Sequence, residues 1–397
     1  MKHYIKWSFL SLLSGILAGL ASTLFLISLD AVTNFRNSMP ILIWGLPLAG
    51  LLIGWVYHHF GEEAARGNDL ILEEIHDPRK KTPMRMAPLI FFGTVLTHLF
   101  GGSAGREGTA VQMGASLSDQ LSRFFKIELE ERKILLVAGA GAGFGAVLGA
   151  PWAGVVFGME VIQIGRLKPF AWFECLIASF AGYYTTVLLQ APHSIYPKFE
   201  IPNFDLKILA FVALAGIAFG LAARFFFMLT HRIERMQMRW ISYPPLRPFV
   251  GGLLLAFLFH LQGMDRYVGL GIPVIQQALS EVMSFRDPLL KSFFTALTVG
   301  SGFKGGEFIP LVYIGTTLGS ALSILLPISF QLLAALGFAA VFAGAANTPI
   351  ACSLMCIEFF GIEIAPYAII ACYISYFFSG HSGIYKSQKI LFRKLLK

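Results

Sequence analysis

Residues 105–114 read Gly-Arg-Glu-Gly-Thr-Ala-Val-Gln-Met-Gly. Glycines on both sides of Glu107 point to a broken helix start, where free backbone N–H groups can face an anion. The stretch lies in a chain composed for a bilayer. Of 397 residues, 56% are hydrophobic and 14% are charged, against roughly 25% charged in an ordinary soluble chain. Mean hydropathy is +0.67. A carboxylate at bilayer depth is costly, so Glu107 is a functional-site candidate by default.

Apolar runs extend on both sides of this stretch, at 7–29, 40–57, 134–164, 170–191, 205–229, 249–261, 311–343 and 362–379. Several approach the roughly 20 residues of a bilayer crossing. Others are cut by Gly or Pro, as in re-entrant or half-helices. They predict an all-α polytopic membrane protein with roughly ten crossings or partial crossings. The net charge is +8, with Lys2, Lys6, Lys386, Lys389, Arg393, Lys394 and Lys397 at the two ends. The positive-inside bias then puts both termini in the cytoplasm. The basic residues flank apolar spans, which argues against a nucleic-acid partner. Cys175, Cys352, Cys356 and Cys372 all fall in apolar runs and read as packing residues, with no metal-ligand pairing.

A repeat with an offset near 200 divides the chain into halves of about 1–200 and 205–397 within one transport domain. Ala150-Pro151 and Thr348-Pro349 are each followed by a glutamate, Glu160 and Glu358. Gly105-x-Glu107 matches Gly305-x-Glu307, and Gly67-Asn-Asp-Leu-Ile matches Gly269-Leu-Gly-Ile-Pro273. The offsets run from 198 to 202, in conserved order. Duplicated halves with broken segments in matching places mark a secondary transporter whose site lies near mid-membrane. If the halves are inverted, a linker near 224–248 faces outside, against its basic content.

Residues 105–114 resemble the GREGP-T-V-Q-x-G signature of CLC anion channels and anion/proton exchangers. Arg66-Gly-Asn-Asp-Leu-Ile71 stands where that family has its first anion loop, GSGIP. Gly306-Glu-Phe-Ile-Pro310 stands at GxFxP, and Ser379-Gly-His-Ser-Gly-Ile-Tyr385 at the segment of the pore tyrosine. The likeness runs from about residue 10 to 390 and leaves no room for C-terminal CBS domains. It implies a CLC-type inverted repeat and a homodimer with one pathway per subunit. The departures are as telling. Asn68 replaces a usual Ser, Thr109 a usual Pro, and Val161 the internal proton-transfer Glu of chloride exchangers. Lys304 and Glu307 are additions. Together these look like the fluoride/proton antiporter branch.

That resemblance assigns roles. Glu107 is the gate that trades an anion for a proton. Glu307 is either a second titrating group or the partner of Lys304. Fluoride is small and strongly hydrated, so removing it from water requires short-range donors in exchange. Asn68 offers an amide N–H and Tyr385 an O–H. Helix-start N–H groups around Gly67, Arg106, Gly108, Thr109 and Ile309 can face a central anion. Phe308 can present a positive ring edge. Glu160 and Glu358 read as capping charges, and His381 as a loop-packing residue. The function expected is export of fluoride from a bacterial cytoplasm against proton influx, across the inner membrane and with no cofactor. The alternative is a CLC chloride channel or chloride/proton exchanger. Against an intramembrane enzyme using Glu107, Glu160 and His381, the sequence has no H-E-x-x-H, no paired Asp motif and no Ser/His constellation.

Overall fold

The computed structural model describes residues 2–79, 82–261, 263–392 and 394. Two of the terminal basic residues, Arg393 and Lys397, lie outside the described residues. Sixteen α-helices among the described residues fall into two series of eight. The first is α1 (Lys2–Ser38), α2 (Leu46–Phe60), α3 (Asn68–His76), α4 (Met86–Leu99), α5 (Glu107–Phe124), α6 (Arg132–Leu148), α7 (Pro151–Glu160) and α8 (Trp172–Leu188). The second is α9 (Leu206–Trp240), α10 (Leu246–Phe259), α11 (Ile272–Ala278), α12 (Arg286–Gly300), α13 (Phe308–Leu322), α14 (Phe330–Ala346), α15 (Pro349–Phe360) and α16 (Ala365–Phe378). Lengths match in order: 37 and 35 residues for α1 and α9, 17 each for α6 and α14. Two short parallel strands, β1 (Gln163–Ile164) and β2 (Lys389–Ile390), tie the last segment to the end of α7.

The helices outnumber the apolar runs because runs 134–164 and 311–343 hold two each, and because α3, α4, α5, α11, α12 and α15 lie outside the runs. Run 134–164 contains α6 and α7. Gly149 ends α6 in the left-handed conformation (φ 80°), and Pro151 opens α7. Three spans are long and apolar enough to cross a bilayer: His3–Ser38, Pro40–Phe60 and Leu206–Trp240. Of the shorter helices, α5, α6, α13 and α14 pack inside. α14 is buried along its whole length from Leu332 to Ala346, as befits a helix apolar all round.

Glycine sets the central packing. Gly114 of α5 lies against Gly139 of α6, and Gly315 of α13 against Gly337 of α14. A Cβ at any of the four would run into the opposing backbone. Without a hydrophobic drive between helices in lipid, such close approach is the main source of attraction. The matching pairs put α5–α6 and α13–α14 in equivalent places.

Two glutamates lock the halves together. Glu160, at the end of α7, accepts from the N–H groups of Ile350 (2.9 Å) and Ala351 (2.7 Å) at the start of α15. Glu358 of α15 accepts from Trp152 (2.9 Å) and Ala153 (2.8 Å) at the start of α7. Each carboxylate caps the other half's helix, where orphan N–H groups and the positive dipole end favour it. His381 accepts from the Lys394 N–H at 2.8 Å. Glu160 and His381 thus have their own structural partners away from Glu107.

The placement of the basic stretch needs correction. The halves are joined by 189–205, and 224–240 is the far end of α9. That end lies on one face with other basic residues. Lys386 pairs with Glu234 at 2.7 Å, Ser387 donates to Glu73 at 3.0 Å, Arg132 pairs with Glu74 at 3.0 Å, and Lys6 pairs with Glu131 at 2.9 Å. The basic end of α9 therefore lies on the same face as the start of α1 and the last segment, so it is no linker on the face opposite the termini. The linker was misplaced because α9 is far longer than its apolar part.

Candidate functional site

Three helices begin at one point. Gly67, with φ 60° and ψ −133°, turns the chain into α3, so that Asn68 is its first residue. A side chain at 67 would be strained in that conformation. Its counterpart before α11 is Gly271, φ 78°, two residues beyond the Gly269 matched from sequence. α5 begins at Glu107 and α13 at Phe308.

The loops leading into α5 and α13 cross as a two-residue antiparallel bridge. Gly105 donates to Gly306 O (2.5 Å) and Gly306 to Gly105 O (2.7 Å). This crossing corrects the repeat register by one. Gly105 pairs with Gly306 rather than Gly305, so the counterpart of Glu107 is Phe308. Glu307 instead matches Arg106, the residue before its helix.

A chamber of about 30 Å³ lies among these helix starts. A single water needs about 10–15 Å³ on such a measure, so the space suits one small ion and little else. Asn68, Glu107, Gly108, Glu307, Phe308 and Tyr385 all line it. The Asn68 Oδ1 is buried and has no hydrogen-bond partner among the described residues. The Glu107 carboxylate is fully buried and folds back over its own helix start. There its Oε2 accepts from the Arg106 N–H at 3.2 Å and its Oε1 faces the Arg106 Nε at 3.4 Å.

Three lining residues were not singled out from sequence, Ile384 beside Tyr385, Phe144 of α6 and Phe342 of α14. The Phe308 ring meets both phenylalanines nearly edge-on, with centroids 5.5 Å from Phe144 (87°) and 4.6 Å from Phe342 (79°). Aromatic edges carry the positive part of the ring quadrupole. Their common position in α6 and α14 was the available signal, but the chain holds 37 Phe.

Other expected residues lie elsewhere. Gly67 lines a wider vestibule of about 320 Å³ and not the inner chamber. Glu307 and Tyr385 line both spaces, so they stand between them. Arg106 donates to Ser194 Oγ at 3.1 Å, in the connection between the halves, and does not line the chamber. Thr109 is buried against Thr94, Oγ1 to Oγ1 2.8 Å. Ile309 is fully buried and also outside the chamber lining. Lys304 does not pair with Glu307. Its Nζ lies 4.0 Å above the Tyr57 ring, in a cation–π contact. The pairing reading of Glu307 thus lacks its partner.

Two series of half-buried helices, crossing at a central chamber with a buried carboxylate and an open vestibule, define an inverted-repeat membrane transport protein of the ion-carrying kind. The model of the voltage gated chloride channel family matches residues 49–380. The chain belongs to that family. A chloride/fluoride channel protein of Pseudomonas syringae pv. tomato (strain ATCC BAA-871 / DC3000) is 48% identical over 98% of this chain and 88% of its own length. An H(+)/Cl(-) exchange transporter of Vibrio cholerae is 28% identical over 88% of this chain and 81% of its own. Among solved structures, a CLC-type fluoride/proton antiporter superposes with TM-score 0.93 at 34% identity, covering 98% of both chains. A slow cyanobacterial Cl-/H+ antiporter, at 19% identity and TM-score 0.81 over 94% of both, shares the fold.

Proposed function

We propose that this chain is a fluoride/proton antiporter, a secondary active transporter that expels fluoride from the cytoplasm in exchange for protons. The observation that carries the reading is the size and lining of the chamber. It has room for one small ion, and it is lined by an amide, a phenol, three aromatic rings and a buried carboxylate. Fluoride, a small and strong acceptor, gains most from close N–H and O–H donors. Likeness to the solved fluoride/proton antiporter supports the same substrate pair.

Ionised, Glu107 occupies the start of α5, the place an anion would take. Protonated, it loses its electrostatic claim on that place, releases it to fluoride and carries one proton. Competition between carboxylate and fluoride for one helix start couples the two fluxes. Asn68 and Tyr385 donate to fluoride, with Phe308, Phe144 and Phe342 presenting ring edges. Glu307, between chamber and vestibule, passes the proton to the vestibule side. Arg106 positions Glu107. The basic face is cytoplasmic in a bacterial inner membrane, following charge bias. Each subunit of a homodimer holds a complete pathway.

The test is fluoride efflux from proteoliposomes, read with a fluoride electrode alongside a proton-sensitive dye. The exchanger reading expects fluoride to drive protons uphill, and Glu107→Gln to abolish proton movement. A passive channel (the Pseudomonas relative is named a channel protein) predicts no uphill protons in either protein. Chloride turnover equal to fluoride would sink the fluoride assignment.

A further inference from the structure

α9 runs 35 residues. At 1.5 Å per residue it is about 52 Å long, well beyond the roughly 30 Å hydrocarbon core. Its last turns therefore stand among headgroups. One stripe of this helix changes character along its length. Phe225 and Met228 are exposed, and Arg232, Arg235 and Arg239 follow at helical spacing, all exposed. Trp240, 77% exposed, closes it. The stripe lines a groove of about 840 Å³ that is formed almost wholly along α9, with Ser382 of the last segment at its edge.

Among the described residues, none of the three arginines has an ion-pair partner. The nearby Glu234 is taken up by Lys386 at 2.7 Å. Arg235 turns its Nε back to His231 O at 3.2 Å, which holds that side chain along the helix.

We propose that this groove is a binding site for an anionic phospholipid, with its phosphate on Arg232, Arg235 and Arg239 and its acyl chain along Phe225 and Met228. Three features select a lipid over a free anion. The groove is apolar on one side and basic on the other. The change from one to the other falls where the helix outruns the hydrocarbon. An indole sits at the level that interfacial tryptophans favour. Forked guanidinium groups suit phosphate oxygens better than ammonium groups do. Each arginine near an anionic surface strengthens binding by about fivefold.

Trp240 supplies the readout. The full-length protein is placed in phosphatidylcholine nanodiscs holding a fixed fraction of brominated phosphatidylglycerol, or the same fraction of brominated phosphatidylcholine. Bromine quenches tryptophan on contact, and the Trp240 share is the difference between wild type and Trp240→Phe. We expect the anionic lipid to quench that share several-fold more than the neutral one, and the Arg232→Gln/Arg235→Gln/Arg239→Gln variant to lose the preference. Equal quenching by both lipids in wild type, or a preference that survives the triple change, overturns the proposal. So does loss of the preference when millimolar inorganic phosphate is added, which would mark a free-anion site. Fluoride efflux reports that the triple variant is folded. If it is not, Arg239→Gln alone is expected to lower the preference by about fivefold, and an unchanged preference there overturns the proposal equally.

Discussion

Glu107 is the first residue of α5, whereas Glu307 is the residue before α13 begins. Successive helical residues point about 100° apart, so the two carboxylates leave similar helix starts in different directions. Glu107 folds back to Arg106, and Glu307 reaches the vestibule. Their losses should differ accordingly. Glu307→Gln keeps the gate and is expected to slow proton flux about tenfold more than fluoride flux, seen as a fall in protons moved per fluoride in the paired assay. An equal fall in both would reduce Glu307 to a structural role. Asn68→Ser tests the amide. One hydrogen bond to a charged group contributes about 1.5–3 kcal/mol, so fluoride binding by calorimetry should weaken roughly ten- to a hundredfold. Glu107, Asn68 and Phe308 were legible because glycine-framed motifs mark helix starts, and Tyr385 through the motif resemblance of 379–385. Arg106 and Thr109 share the motif but point away, since a run of letters gives spacing and not direction. Phe144 and Phe342 were hidden among many similar rings.

Between elements, the decisive contact is the crossing of the loops before α5 and α13. A Cβ at Gly108 would lie 3.3 Å from Gly306 Cα and 3.4 Å from Asn68 Nδ2. It would be tight, asking Gly306 to shift by a few tenths of an ångström, and it would take up space at the chamber wall. Gly108→Ala is therefore expected to fold normally and to lose fluoride flux by more than about tenfold, the effect of about 1.4 kcal/mol. Gly105→Ala is tighter on every side, with the Pro310 ring at 2.9 Å, Gly306 O at 3.0 Å and Ile309 N at 3.1 Å. It should damage folding, read as aggregation on size-exclusion chromatography. The exchanged caps give a third case. Glu160→Ala leaves the N–H groups of Ile350 and Ala351 without their acceptor, at about 1–3 kcal/mol each. A lowered unfolding midpoint in detergent, with flux per folded protein unchanged, is the expected result. A lost proton coupling would instead place Glu160 on the transport path. Helix pairing by offset was readable from the Ala-Pro and Thr-Pro breaks. The register was not, because Gly305 and Gly306 are adjacent and either satisfies the pattern. Only the hydrogen-bonded bridge chooses between them.

For the whole molecule, the question is why an exchanger should serve where a channel would suffice. One charge crossing 100 mV is worth about 2.3 kcal/mol. A passive fluoride channel at that potential, negative inside, can lower internal fluoride only about 50-fold below external fluoride. Exchange of one fluoride outward for one proton inward moves two charges, worth about 4.6 kcal/mol, or roughly 2,000-fold at equal pH. The structure is consistent with the coupling this requires, since the chamber of about 30 Å³ among the three helix starts is too small for fluoride and a hydrated carboxylate together. The two limits are far enough apart to measure. Proteoliposomes clamped at 100 mV by potassium and valinomycin, with fluoride measured on both sides at equilibrium, should settle near the larger ratio. An acid external pH should then raise it tenfold per pH unit, because each proton entering adds its gradient to the same cycle. A ratio held near 50, indifferent to pH, would make this chain a channel, and Glu107 only its gate.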